Sequence, residues 1–388
     1  MQVAPLESRA PAPDMAEVVV RAFTPVEGEV DATLEVAEGA LPDGLRGTLY
    51  RNGPGSLDVE GTPQMHPFDG DGMVSRFAFD DGGVRYRNRF VETRERRAER
   101  AAGRMLYRAF GTNIPGGFRS NALRLRFKNA ANTSIVRHGG VLLALWEGGL
   151  PHALDPESLA TLGRFDYGGA LRNPGPLPER LLSPVLPFSA HPSVCPRTGE
   201  LFNFGLLAGP RPMLALHRVR PDGELVESRR VELARPSFVH DFVLTERWAV
   251  FFVTPVRFDV ARAFSGLSTP VESMSRDAGA PTEVLLVPRA GGEAKRLPAP
   301  GCFLFHFFGG HERADGALVV DGCRMESFEG GTVDLRDAAA LRTLELPPGL
   351  PTRWVIDPAR GTVDERRLSE VPMELPTVSP RGGRRLGW

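Results

Sequence analysis

The chain has 388 residues, with 47 Lys plus Arg against 48 Asp plus Glu, for a net charge of −1. That balance excludes a polyelectrolyte tail and leaves no basic footprint for nucleic acid. Hydrophobic residues make up 41%, too many for disorder, while 43 Gly and 35 Pro, a fifth of the chain, predict frequent turns and few long helices.

In chain order, residues 1–20 read as a flexible N-terminal arm with no apolar core of a signal peptide. Residues 21–388 read as a single domain without a low-complexity linker. Phe68-Asp69-Gly70-Asp71-Gly72 resembles half a calcium loop but lacks its terminal Glu, so it reads as a tight turn. Residues 92–105 are the best helix candidate, their Arg and Glu run predicting a solvated face. A hairpin is expected from 133–137 and 141–146, flanking Gly139-Gly140. A short helix is expected within 171–182, after Pro174.

Three further hairpins follow: 214–219 with 225–233, 282–288 with 295–298, and 353–356 with 363–368. The longest dense apolar stretch, 248–256, falls well short of the ~20 residues of a membrane span. Cys195, Cys302 and Cys323 are odd in number and irregular in spacing, which argues against a disulfide framework and for a reducing, cytoplasmic setting. The strand–turn–strand units recur at roughly 40–60 residues, the scale of a propeller blade. The expected fold is therefore all-β, one large β-propeller.

Three of the eight histidines share a setting. His191 follows Phe188-Ser189-Ala190, His240 follows Phe238-Val239, and His306 sits within Phe303-Leu304-Phe305-His306-Phe307-Phe308. Their separations, 49 and 66 residues, are about one blade each. Inner strands of a propeller converge on its axis, so three imidazoles there would make a nitrogen-rich site for Fe, Zn, Cu or Ni. The plain alternative is that each is a hydrogen-bonded core histidine. No G-x-S-x-G elbow, phosphate-binding loop or C-x-x-C pair competes with this site. A zinc hydrolase on the same histidines lacks an obvious carboxylate base beside them.

Several segments together resemble the carotenoid cleavage oxygenase family. They are Gly47-Thr48-Leu49-Tyr50-Arg51-Asn52-Gly53-Pro54, His66-Pro67-Phe68-Asp69-Gly70-Asp71-Gly72-Met73, Asn132-Thr133, and Leu145-Trp146-Glu147-Gly148-Gly149 with Pro151-His152 and Leu154-Asp155-Pro156. The three histidine segments follow in order, then Glu374-Leu375-Pro376 with Ser379-Pro380. The resemblance implies a seven-bladed β-propeller with one non-haem Fe(2+) per chain on its axis. It implies His191, His240 and His306 as iron ligands, with Glu147 and Glu374 holding the other ring nitrogens of the ligands.

The implied reaction is oxidative cleavage by O2 of a conjugated carbon–carbon double bond, giving two carbonyl products. The implied partners are an apolar polyene and O2, with Trp146 and Phe307 as substrate-tunnel candidates.

Two departures stand out. The family's fourth histidine ligand and third glutamate belong beyond the Glu-Leu-Pro segment, and no histidine follows His311. The chain is thus expected to lack its last blade or two, and a truncated, non-catalytic propeller binding an apolar ligand or partner is the alternative. Gly309-Gly310 also replaces the family's Asn-Ala pair. Bacterial relatives divide between carotenoids or apocarotenoids and phenolic stilbenes. Trp146 stands where the stilbene branch carries a lysine, which favours an apocarotenoid, with a stilbene-cleaving oxygenase as the alternative. Peripheral membrane contact is expected through 106–118 or 181–188. The oligomeric state is not predicted.

Overall fold

The computed structural model describes residues 14–377 apart from 27, 125, 208–210, 278, 329–330 and 344–346. Ser379 and Pro380 of the resemblance lie outside the described residues, as does the first part of the expected arm. The arm's second part forms a helix, Met15–Ala22, capped by Asp14, which also pairs with Arg342.

Five four-stranded antiparallel sheets follow one another along the chain. The first holds Asp31–Leu34, Gly47–Ser56, Asp71–Asp80 and Gly83–Phe90. The second runs Ser134–His138, Val141–Leu145, His152–Leu154 and Thr161–Arg164. The third runs Ser193–Val194, Leu201–Leu207, Met213–Val219 and Leu225–Glu232. The fourth holds Val243–Leu244, Trp248–Val253, Thr282–Pro288 and Lys295–Ala299, the fifth Phe303–Glu312, Leu318–Met325, Leu350–Asp357 and Thr362–Arg367. All four predicted hairpins form, each about a glycine-bearing turn.

The middle strands of the second, third and fourth sheets are buried on both faces because each of these sheets is covered twice. Val74 of the first sheet packs with Leu142, Ala144 and Leu154 of the second. Leu143 and Leu145 turn the other way, onto Leu201 and Ala215 of the third. Phe204 of the third meets Phe251 of the fourth, and Phe252 of the fourth meets Trp354 of the fifth at 5.0 Å. Face-to-face stacking in chain order is the arrangement of propeller blades. Packing of the third sheet against the segment that leads into it is tight enough to dictate glycine. A Cβ on Gly205 would lie 1.9 Å from the Pro187 carbonyl oxygen.

The helix predicted at 92–105 forms over Arg94–Ala102, with Thr93 as its N-cap and Gly103 in the left-handed region at its C-terminus. Its charges are not simply a solvated face, as the run of Arg and Glu suggested. Glu95, Arg96 and Glu99 are buried. Lys128, also buried, places its Nζ 2.8 Å from both Asp71 and Glu99, and Arg96 joins Asp71 at 2.9 Å. Asp71 thereby ties the turn at 68–72 to this helix; Asp69 accepts the Gly111 N–H and the Thr112 hydroxyl. The short helix expected within 171–182 spans Leu177–Leu182. All three cysteines are free and buried, and among the described residues no helix is long and apolar enough to cross a membrane.

Candidate metal centre

His191 lies two residues before the first strand of the third sheet, and His240 three residues before that of the fourth. His306 sits within the first strand of the fifth. First strands are the inner edges of consecutive blades, so the three side chains converge. His191 Nε2 lies 2.9 Å from His240 Nε2, which lies 3.2 Å from His306 Nε2. One donor atom from each of the three lies within 4.8 Å of the others, the sole such group of metal-ligating side chains among the described residues.

Both predicted glutamates reach this cluster. Glu374 Oε2 accepts the Nδ1 proton of His306 at 2.6 Å. Glu147, in the turn after Val141–Leu145, brings Oε1 to 2.7 Å from His240 Nδ1, although the ring N–H is not aimed squarely at the oxygen. A proton on Nδ1 leaves a lone pair on Nε2. The converging Nε2 atoms of His240 and His306 then face each other as acceptors, and a cation between them resolves that repulsion.

Electrostatics agree. Burial, with the neighbouring imidazoles, holds His191 and His240 down at about 3, so both are neutral near pH 7. Burial pushes Glu147 up to about 8, opposed only by His191 and His306. Neutral His191 and His240 keep lone pairs free of protons, which suits them to a cation. The residues present therefore fit a metal ion.

Six phenylalanines crowd one flank of the cluster. Phe305 meets His240 edge-on at 5.4 Å, and Phe238 stacks on it at 6.0 Å. Phe303, Phe328, Phe110 and Phe68 extend this surface. A separate cavity of about 360 Å3 is lined by His191, Ser193, Asp241 and Phe308, among others, and none of those six rings borders it.

The tunnel candidates fare differently. Trp146 folds over its own turn, its indole 3.0 Å from where a Gly148 Cβ would stand. Phe307 belongs to the core between the fourth and fifth sheets, its ring 5.3 Å from Phe252, so it is not on the aromatic flank. Phe305 lies on that flank, whereas Phe307 borders the cavity beside His191. His66 turns its Nδ1 to the Phe68 N–H at 3.2 Å, and His152 is fully buried; neither joins the cluster.

The sequence pattern of the family described as Retinal pigment epithelial membrane protein matches residues 23–385. The chain belongs to this family. It is 36% identical over 370 residues to the apocarotenoid-15,15'-oxygenase of Synechocystis sp., covering 93% of this chain and 73% of the relative. It is 32% identical to resveratrol cleavage oxygenase 1 of Aspergillus fumigatus over 76% of this chain and 56% of that one, so it spans little more than half of that relative's length. The crystal structure of cobalt-substituted Synechocystis ACO superposes with a TM-score of 0.84 at 35% identity, covering 95% of this chain and 76% of that one. Fold and family thus agree with the resemblance read from the motifs, and the sheets are blades of that propeller.

Proposed function

We propose that this chain is an Fe(II)-dependent oxygenase that cleaves a conjugated double bond of an apocarotenoid, with His191, His240 and His306 as its protein ligands. The carrying observation is the convergence of three imidazole nitrogens, with Glu147 and Glu374 at the outer ring atoms of His240 and His306. Oxygen activation is the chemistry that a bound Fe(II) supplies. The protein's own work is to orient and to exclude. Glu374 fixes the tautomer of His306, which keeps its Nε2 lone pair turned inward. Phe305 and Phe238 offer a dry, flat surface beside His240 on which a polyene lies in van der Waals contact. In the balanced reaction both atoms of O2 enter the two carbonyl products and no external reductant is consumed.

Trp146, rather than a lysine, before Glu147 supports an apocarotenoid over a phenolic stilbene. Residues 21–388 act as one domain in this reading. The polyene is collected from a membrane surface by exposed Phe118, Leu123 and Leu267, on segments joined by the Leu123 N–H to the Phe264 carbonyl. Of the expected 181–188 stretch Leu181, Leu182 and Pro184 are exposed, whereas Phe188 is core.

The test is anaerobic loading with Fe(II), then O2 with an apocarotenoid or a stilbene, products read by mass spectrometry. Two carbonyl fragments from the apocarotenoid are expected, together with loss of bound iron in His240→Ala. Iron retention without any product would favour the second reading, a propeller that binds an apolar ligand without turnover. Stilbene-only turnover would reverse the substrate assignment.

A further inference from the structure

We infer that Asp241 is a positioning residue that fastens the segment carrying His240 to the strand carrying His306. The inference rests on the metal-centre reading of these histidines.

The two histidines belong to different sheets, so no backbone ladder ties them together. His240 precedes the fourth sheet in irregular chain. His306 sits where the ladder of its own strand breaks. Phe303–Glu312 pairs with Leu318–Met325 at Leu304↔Arg324, resumes at Phe307↔Gly322, and slips again before Gly309↔Asp321. Each slip inserts one extra residue, the mark of a β-bulge, which bends the strand and frees backbone groups from pairing. Bulges re-aim side chains, and here they bracket a ligand. The cost is a loosened strand at the point where a metal centre needs rigidity.

Asp241 compensates from the neighbouring blade. Its Oδ2 accepts the Phe307 N–H at 3.0 Å, and its Oδ1 accepts the Phe242 N–H at 2.7 Å. One carboxylate thus clamps Phe307, the residue after His306, to Phe242, the second residue after His240. Hydrogen bonds to a carboxylate are among the strong ones. The bond spans 66 residues of sequence, as does the His240–His306 approach at 3.2 Å that it accompanies. The hydrogen bonds Asp241 makes are to backbone N–H groups and not to an imidazole, so it holds the histidine segments through the backbone.

The experiment uses the full chain, wild type, Asp241→Asn and Asp241→Ala, without added iron. Co(II) is titrated in and its visible absorption bands are read for affinity and geometry. Deuterium uptake of the peptide covering 303–312 is measured in the apo-proteins. Asn keeps the shape and one acceptor, so about a 10-fold loss of Co(II) affinity is expected, approaching ~100-fold for Ala. Both variants should shift the Co(II) bands and speed exchange in 303–312. Should the Ala variant fail to fold, the near-isosteric Asn variant decides alone. Variants that only melt earlier, with wild-type bands, affinity and exchange, would overturn the inference while leaving the metal centre standing. Failure of the wild-type chain itself to take up Co(II) would remove the metal-centre reading and this inference together.

Discussion

Glu374 Oε2 accepts the Nδ1 proton of His306 at 2.6 Å, from 68 residues further along the chain. The same oxygen accepts the Leu375 N–H at 2.7 Å, and Leu375 holds a left-handed backbone at φ 51°. A leucine pays conformational energy there, and the return is a carboxylate held in place for the imidazole.

Removing that carboxylate should therefore weaken metal binding rather than folding. Glu374→Ala is expected to lower Co(II) or Fe(II) affinity about 10- to 100-fold, read by competition with a chromophoric chelator. An affinity equal to wild type would show that Glu374 is not part of the centre.

The buried Lys128 gives a contrasting case, in which stability is at stake. Its ammonium lies between Asp71 and Glu99, all three side chains nearly inaccessible to water. Lys128→Met leaves two carboxylates buried with Arg96 alone for compensation, and a loss of about 3–5 kcal/mol is expected. Urea denaturation measures it. A loss under about 1 kcal/mol would mean that the carboxylates escape to water or take up protons at little cost.

Gly205 tests the packing of the third sheet directly. With Pro187 oxygen at 1.9 Å from a built Cβ, Gly205→Ala forces the segment leading into the sheet away from its strand. Overpacking costs about 1–3 kcal/mol, and more where the obstacle is backbone. The midpoint of thermal unfolding should fall by several degrees; an unchanged midpoint would contradict the closeness of this approach.

His217 sets an acid limit. It is buried, donates Nε2–H to the Pro187 carbonyl at 2.8 Å, and stacks on Phe188. Burial lowers it from 6.5 to about 4, so the folded chain resists its protonation. Below pH 6.5 the unfolded chain takes up a proton that the folded chain does not, and stability falls as pH drops from 6.5 toward 4, then levels off. This group alone is worth roughly 2–3 kcal/mol over that window. His217→Gln should show a shallower decline of stability between pH 7 and pH 4.5. Parallel declines would place the acid sensitivity elsewhere.

Much of this was legible in the sequence, for physical reasons that can be named. Hairpins announced themselves because a glycine turn between apolar runs has few other uses, as at Gly139-Gly140. The three clustered histidines were visible because burying an imidazole among phenylalanines at blade spacing is costly without a partner. Phe307 stands apart from Phe305 for an equally definite reason. Alternation along a strand puts Phe305 and Phe307 on one face, but the bulges around His306 break that period and send Phe307 into the core. Asp241 and Lys128 carried no local signal at all, since their partners lie far away along the chain.

Each sheet is built from one contiguous stretch, and that fixes an order of events in folding. Strands joined by short turns find each other cheaply, whereas contacts between sheets must close longer loops first. Glu147, His191, His240, His306 and Glu374 come from separate stretches, so the centre cannot exist until the sheets have docked. Metal capture then reports the last step of assembly, and in refolding the Co(II) bands should lag the β-sheet signal. Bands that rise together with that signal would mean that docking and sheet formation are one event.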